Sequence, residues 1–293
     1  MRIRNSTIVL TGATGGIGSQ LAAEFAGAGA RMILVGRDHA QLDALIKALP
    51  VPASAPHMAV AVDLLEAAGR QKLRDLCAQQ DIDLLVNNAG TNDFNLLENA
   101  DPATVARQIE LNLMVPVLLT QQLLPLLLRR PTGAVVNIGS AFGSIGYPGY
   151  AAYCASKFGL RGLSEVLRFD LARHRIGVSV VVPGAVNTPL VQTVDIVGVD
   201  RDHPKVQRLV RLFSGHAVSA EKVADKILAG VTRNRFLIYT SADIWALYMF
   251  KRIAWRPYGA VMSRVNVFFT GALRPHGAQY LPPGPANEWS QDE

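Results

Sequence analysis

The chain has 293 residues, a net charge of +6, 49% hydrophobic residues and 18% charged ones. That length and composition exclude a chain disordered over most of its length, and they allow one large α/β domain or at most two small ones. Two cysteines, Cys77 and Cys154, cannot form a disulfide framework and lack metal-ligand spacing, so both are expected in the core of a protein in a reducing cytosol.

The first apolar run, Ile8-Val9-Leu10, ends at Thr11-Gly12 and is too short for a signal peptide or a membrane span. It is expected as a strand. An Ala-rich helix through Leu21, Phe25 and Ala28 follows, then a strand at Met32–Val35 and a helix carrying Leu42, Leu45 and Leu49. Met58 to Asp63 is the next strand, followed by a polar helix to about Gln79 and a strand at Ile82–Val86. A long helix is expected from about Pro102 to Arg130, a strand at Ala134–Ile138, a helix at Tyr150–His174 and a strand at Val178–Val182. Ala220–Thr232 reads as a helix and Phe236–Tyr239 as a strand. Strands apolar throughout are buried on both faces, and helices between them predict a doubly wound parallel α/β sheet in one domain, residues 1–240. Two parts are irregular: an insert at about 187–217 and an extension at 241–293.

Between the first strand and the first helix lies Thr11-Gly12-Ala13-Thr14-Gly15-Gly16-Ile17-Gly18. Glycines permit a tight turn and close approach of a pyrophosphate, and a helix N-terminus offers free N–H groups. A glycine-rich run alone is weak evidence, since a plain loop has the same composition. The strand–turn–helix context raises it to a cofactor site. The basic balance of the chain suits an anionic cofactor or an anionic membrane. No long Lys/Arg block occurs in the first 200 residues, which argues against nucleic acid.

Tyr153 and Lys157 are four residues apart and share a helix face. A free tyrosine titrates near ~10, and a neighbouring ammonium lowers that value toward the range where protons are traded. Such a pair also arises by chance on a solvated helix. Three further features accompany it. Ser140 lies thirteen residues earlier, at the end of a strand. Asn112 sits inside the long helix, where an amide is mildly unfavourable. Pro183-Gly184 closes another strand, with Thr188 beyond.

The loop Gly12-x-x-x-Gly16-x-Gly18, the tetrapeptide Asn87-Asn88-Ala89-Gly90 and the set Asn112, Ser140, Tyr153 and Lys157 together resemble the short-chain dehydrogenase/reductase family over about residues 6–240. The resemblance implies an oxidoreductase that interconverts a carbonyl and an alcohol. Tyr153 is then the general acid/base, Ser140 orients the carbonyl, Lys157 holds the nicotinamide ribose and tunes Tyr153, and Asn112 supports a water in a proton relay. It implies cofactor contacts from Gly12, Thr14, Gly15, Gly16, Ile17 and Gly18 in the first loop, and from Asp63 and Leu64 after the third strand. Asn88, Ala89 and Gly90, Tyr153 and Lys157, and Pro183, Gly184, Val186 and Thr188 complete the set.

At the end of the second strand stands Arg37, whose guanidinium suits a 2′-phosphate, so the cofactor is expected to be NADP(H). The adjacent Asp38 would serve an NAD ribose instead. Tyr147 and Tyr150 are expected to wall the substrate pocket. The insert holds Val191, Val194, Ile196, Val197, Val199, Leu209, Val210, Leu212 and Phe213, which suits a bulky, apolar, lipid-like carbonyl substrate. Seven leucines between Leu118 and Leu128 exceed one core-facing stripe and suggest a homodimer or homotetramer. His57, His174, His203, His216 and His276 show no ligand spacing, so no metal is expected and each is read as a loop or surface residue. The extension interleaves Trp245, Tyr248, Phe250, Trp255 and Tyr258 with Lys251, Arg252, Arg256 and Arg264. Substrate capping, a subunit interface and peripheral membrane contact all remain open for it. A catalytically silent NADP(H)-binding regulator, or another reaction on the same fold, would share most of these features.

Overall fold

The apolar runs become a seven-stranded parallel sheet in a computed structural model that describes residues 1–52, 55–94, 96–97, 100–187 and 217–270, the side chains of 187 and 268–270 excepted. The elements are β1 (Thr7–Thr11), α1 (Gly16–Gly27), β2 (Arg31–Gly36), α2 (His39–Ala48), β3 (Met58–Ala61), α3 (Ala67–Ala78), β4 (Leu84–Asn87), α4 (Pro102–Ile109), α5 (Val115–Leu127), β5 (Gly133–Ile138), α6 (Ala151–Asp170) and β6 (Ile176–Val182). A two-residue pair, β7 (Val186–Asn187) with β8 (Val218–Ser219), precedes α7 (Ala220–Thr232) and β9 (Leu237–Tyr239). Two helices close the described chain, α8 (Ala242–Ile253) and α9 (Trp255–Thr270).

The strand order is β3-β2-β1-β4-β5-β6-β9. From β1 the chain winds outward to β2 and β3, then crosses back to β4 on the other side of β1. That reversal leaves a crevice beyond the carboxyl ends of β1 and β4, where doubly wound sheets bind ligands. Ile8 and Leu10 face one core layer with Leu21, Phe25 and Ile227, while Val9 faces the other with Leu73, Leu119 and Leu123. The sheet is therefore covered on both sides, as its unalternating strands require. Both cysteines are buried free thiols.

Three expectations change in detail. The long helix is interrupted by a π turn, Glu110–Met114, with Asn112 at its centre. π turns cluster at functional sites because they re-aim a side chain within an otherwise regular helix. The run Pro102–Leu127 is long and apolar enough to cross a bilayer. Here it is a core helix, with Leu119, Leu123, Leu126 and Leu127 buried inside the chain. Those four account for most of the leucine excess, so that excess is largely core. Finally, His57 is a buried structural residue rather than a surface one. Its Nδ1 accepts the Met32 N–H at 3.0 Å, and its Nε2 lies 2.9 Å from the Pro50 carbonyl, pinning the chain that enters β3.

Candidate active site

The phosphate loop is shaped by close backbone approach. Gly12 has φ of +61°, and a Cβ there would meet the Ala89 Cα at 2.8 Å. A Cβ on Gly18 would fall 2.2 Å from the Gly12 carbonyl oxygen. Only glycine fits either place. Thr11 joins this loop to the next one: its Oγ1 accepts the N–H groups of Asn88 and Ala89 at 2.9 and 3.0 Å. In return the Asn88 amide donates to the Thr11 and Gly12 carbonyls at 3.0 and 2.9 Å. The ends of β1 and β4 are thus one unit. The first turn of α1 has no side-chain cap and no acidic residue. Its N–H groups and dipole are left for an anion, which fits a dinucleotide pyrophosphate.

Around this cradle the other expected residues fall unequally. Arg37 is exposed at the end of β2. Asp38 caps α2, accepting the Gln41 N–H at 3.1 Å and the Gln41 side-chain amide at 3.0 Å. Asp63 accepts the Leu65 N–H at 2.9 Å, which turns the chain after β3, while the Leu64 side chain is part of the core. The Pro183 carbonyl accepts the Ala141 N–H at 2.8 Å and so ties the end of β6 to the Ser140 turn. Val186 is buried. Thr188 and nearly all of the expected lid, 188–216, lie outside the described residues.

The proton-transfer residues converge at the carboxyl ends of β4 and β5. Lys157, buried, donates from Nζ to the Ile138 carbonyl at 2.9 Å and sits 5.7 Å from the centre of the Tyr153 ring. A side-chain hydrogen bond joins Ser140 to Tyr153, and Ser140 Oγ also accepts the Phe142 N–H at 3.1 Å. Burial pushes the Tyr153 hydroxyl up to about 12, with the Ser140 hydrogen bond pulling the other way. Burial likewise pulls the Lys157 ammonium down to about 8. The expected depression of Tyr153 by its lysine is therefore absent in the protein alone. The ammonium bonds a carbonyl and overlies the ring instead of meeting the hydroxyl, so desolvation wins. At neutral pH the site presents a protonated tyrosine, an acid ready to donate.

Asn112 is fully buried, and its amide is spent on the protein. Its Oδ1 accepts the Thr91 N–H at 2.9 Å, and its Nδ2 donates to the Thr91 carbonyl at 2.9 Å and to Ser156 Oγ at 3.3 Å. The side chain is a clamp on the loop after β4, which makes Asn112 a positioning residue. A Cβ on Gly90 would come within 2.9 Å of Asn112 Oδ1.

Several residues were not singled out from the sequence. Phe94 and Phe142 join Tyr147, Tyr150 and Tyr153 in one aromatic cluster, with Phe142 stacked on Tyr147 at 5.0 Å and tilted against Tyr150 at 4.9 Å. Gly149 makes room for it: φ is +81°, and a Cβ there would strike the Phe94 ring at 2.3 Å. Asn137 accepts from Asn87 at 2.8 Å and donates to Ser164 at 2.8 Å, a buried polar chain beneath the site. Only Gly149, beside a tyrosine, carried a local signal. The others meet across the sheet and leave none.

Serine, tyrosine and lysine thus converge at the switch-point side of a doubly wound sheet. The chain belongs to the short-chain dehydrogenase/reductase family, whose "short chain dehydrogenase" model matches residues 6–196. Bovine dehydrogenase/reductase SDR family member 7B is 36% identical over 195 residues, 64% of this chain and 60% of that protein. The chain thus spans about 60% of the length of that relative. A short-chain dehydrogenase from Sphingobium yanoikuyae in complex with NADPH is 25% identical, with a TM-score of 0.70 over 94% of this chain and 100% of the other. A member from Burkholderia phymatum in complex with NAD, 24% identical, superposes with a TM-score of 0.76 over 86% of this chain and 94% of the other.

Proposed function

We propose that the chain is an NADP(H)-dependent carbonyl reductase, or in reverse an alcohol dehydrogenase, acting on a bulky apolar substrate. The observation that carries this reading is the convergence of Ser140, Tyr153 and Lys157 beside a dinucleotide cradle. When bound, the nicotinamide supplies the hydride that reduces the carbonyl carbon. Ser140 orients the carbonyl by hydrogen bonding to its oxygen. Tyr153 delivers its hydroxyl proton to that oxygen as negative charge develops there, so the product is a neutral alcohol. Lys157, cationic below about 8, stabilises the phenolate left behind. Asn112 holds the loop of Gly90 against the lysine.

Preference for NADP(H) is supported by the division of labour at the end of β2. Asp38, the residue that would take a ribose hydroxyl, is occupied as the α2 cap. Arg37 is exposed and suited to a 2′-phosphate. Arg37→Ala is expected to weaken NADPH about ten- to a hundredfold and leave NADH nearly unchanged, because a charged hydrogen bond contributes roughly 1.5–3 kcal/mol. Asp38→Ala should cost about 1 kcal/mol of stability through the lost cap, with no gain or loss of NADH. Dissociation constants for both cofactors decide it. Equal affinity of the unmutated protein for NADPH and NADH would defeat the reading.

The apolar substrate is supported by the aromatic cluster beside Tyr153 and by the apolar sequence of the 187–217 insert. Among linear ketones, kcat/KM is expected to rise with chain length. Each buried methylene is worth about 0.8 kcal/mol, roughly fourfold. A panel in which short polar ketones win would overturn this. Assembly as a dimer or tetramer through α5 and α6 is supported by the exposed Leu128 just past α5 and by Val166 and Phe169 on α6. The two buried free thiols suit a reducing cytosol.

A further inference from the structure

The inner face of α8, Ile244, Leu247, Tyr248 and Lys251, has i, i+3, i+4, i+7 spacing and packs on the catalytic loops. Ile244 fills the space above Gly184, Tyr248 accepts from Arg161 at 3.2 Å, and Lys251 donates to the Ser144 carbonyl at 2.8 Å. In α9, Tyr258 is buried and donates to the Gly146 carbonyl at 2.5 Å. Tyr258 therefore packs against the 144–146 turn, and Lys251 ties α8 to the same turn from a partly exposed position.

The opposite side of α8 is apolar too. It carries Trp245, Ala246, Phe250 and Ile253, with Trp245 53% exposed and Ile253 78% exposed. A surface helix of a globular domain turns polar residues to water. Past the break at Ala254 the pattern continues: Trp255 is 64% exposed, and Val261 and Val267 are exposed. Arg252, Arg256 and Arg264 are interleaved among these residues, and no acid occurs between Asp243 and Glu288.

A second copy covers such a face poorly. A two-fold contact would set this net-positive patch against a copy of itself, and Asp243 is the one acid that α8 and α9 could offer to the facing arginines. An anionic headgroup layer over a hydrocarbon boundary matches both the aromatics and the cations. We propose that α8 and α9 are an interfacial docking element for an anionic lipid surface. Trp245, Phe250, Ile253 and Trp255 enter the headgroup boundary, and Arg252, Arg256 and Arg264 pair with lipid phosphates. Helices of 12 and 16 residues are too short to span and lie in the plane of the surface. A cleft of about 480 Å³ between α6 and α8, lined by Phe158, Arg161, Tyr248, Lys251, Arg252 and Trp255, shares Arg252 and Trp255 with this face. Its three cations and lack of lining carboxylates suit a headgroup phosphate. Because the inner side of α8 touches Gly184 and the 144–146 turn, docking holds the catalytic site next to the lipid.

Flotation of the full chain with phosphatidylglycerol/phosphatidylcholine vesicles at physiological salt tests this independently of cofactor or substrate. Binding is expected to the mixed vesicles and not to phosphatidylcholine alone, with a blue shift of tryptophan emission. Since each basic residue near an anionic surface contributes about fivefold, Arg252→Ser, Arg256→Ser and Arg264→Ser together should weaken binding about a hundredfold. Trp245→Ala with Ile253→Ala should weaken flotation and reduce the blue shift to the part Trp255 supplies, while leaving the melting temperature and the mass in solution unchanged. No flotation with anionic vesicles, or flotation indifferent to the arginine changes, overturns the proposal. So does a fall in oligomer mass in the Trp245/Ile253 variant, which would make this face a subunit interface.

Discussion

Replacing Tyr153 by phenylalanine is expected to lower kcat by roughly a hundred- to ten-thousandfold, the range general acid catalysis supplies, with NADPH affinity nearly unchanged. The substitution removes one oxygen. The ring keeps its packing, edge-on to Phe142 at 6.3 Å and to Tyr150 at 6.0 Å, so the loss reports on the proton and not on the fold. Among the described residues, no other tyrosine has a lysine four residues beyond it. Tyr150 lies one turn away, but burial raises it further, and the residue four beyond it is Cys154 rather than a lysine. Ser140, the hydrogen-bond partner of Tyr153, is too weak an acid to substitute. Steady-state kinetics beside a fluorescence titration of NADPH separates the two effects. Near-normal turnover in the variant would contradict the assignment of the acid.

Lys157→Met is expected to lower kcat/KM by roughly a hundred- to a thousandfold, the scale of losing one preorganised charge beside a reacting group. Methionine keeps the length and apolar stem while discarding the ammonium. In the unmutated protein, carbonyl reduction should decline as pH rises through about 8, where Lys157 loses its proton, and that limb should vanish in the variant. Stability moves the opposite way. The folded-state value is depressed below the unfolded one of about 10.4, so between them the unfolded chain binds more protons and stability rises with pH. Below about 8 the fold carries the full cost of a buried ammonium. Lys157→Met should therefore melt no lower than the parent at pH 7. A large drop in melting temperature would mean that the bond to the Ile138 carbonyl is structural first.

The sheet and the cradle were legible because their signals are local. Unbroken apolar runs such as Ile8–Leu10 mark doubly buried strands, and glycines at 12 and 18 mark backbone contacts that no side chain can enter. The proton-transfer set was legible through fixed spacings along one helix and at strand ends. What escaped the sequence depends on distant segments meeting. Nothing in the sequence sets the Asn112 side-chain amide beside Thr91 and Ser156, which hold it in the fold. For Tyr153, spacing reports that Lys157 is near, whereas the sign of the shift depends on where Nζ points and how dry the pocket is. His57 gave no hint of burial, since its partners are a neighbouring strand's N–H and a carbonyl seven residues back. In the extension, aromatics and cations alternated in a way that set Tyr258 beside Trp255, yet the fold turns the first inward and the second out.

The central claim is that this site moves a hydride and a proton between a nicotinamide dinucleotide and a carbonyl. Absorbance of NADPH, followed with the purified full chain over ketones of increasing length, tests it most directly. The account predicts cofactor oxidation in step with alcohol formation, faster for the longer apolar ketones and nearly abolished by Tyr153→Phe. Tight NADPH binding with no oxidation by any ketone, and no reverse reaction with the corresponding alcohols and NADP⁺, would contradict it and mark the chain as a cofactor-binding protein without this activity.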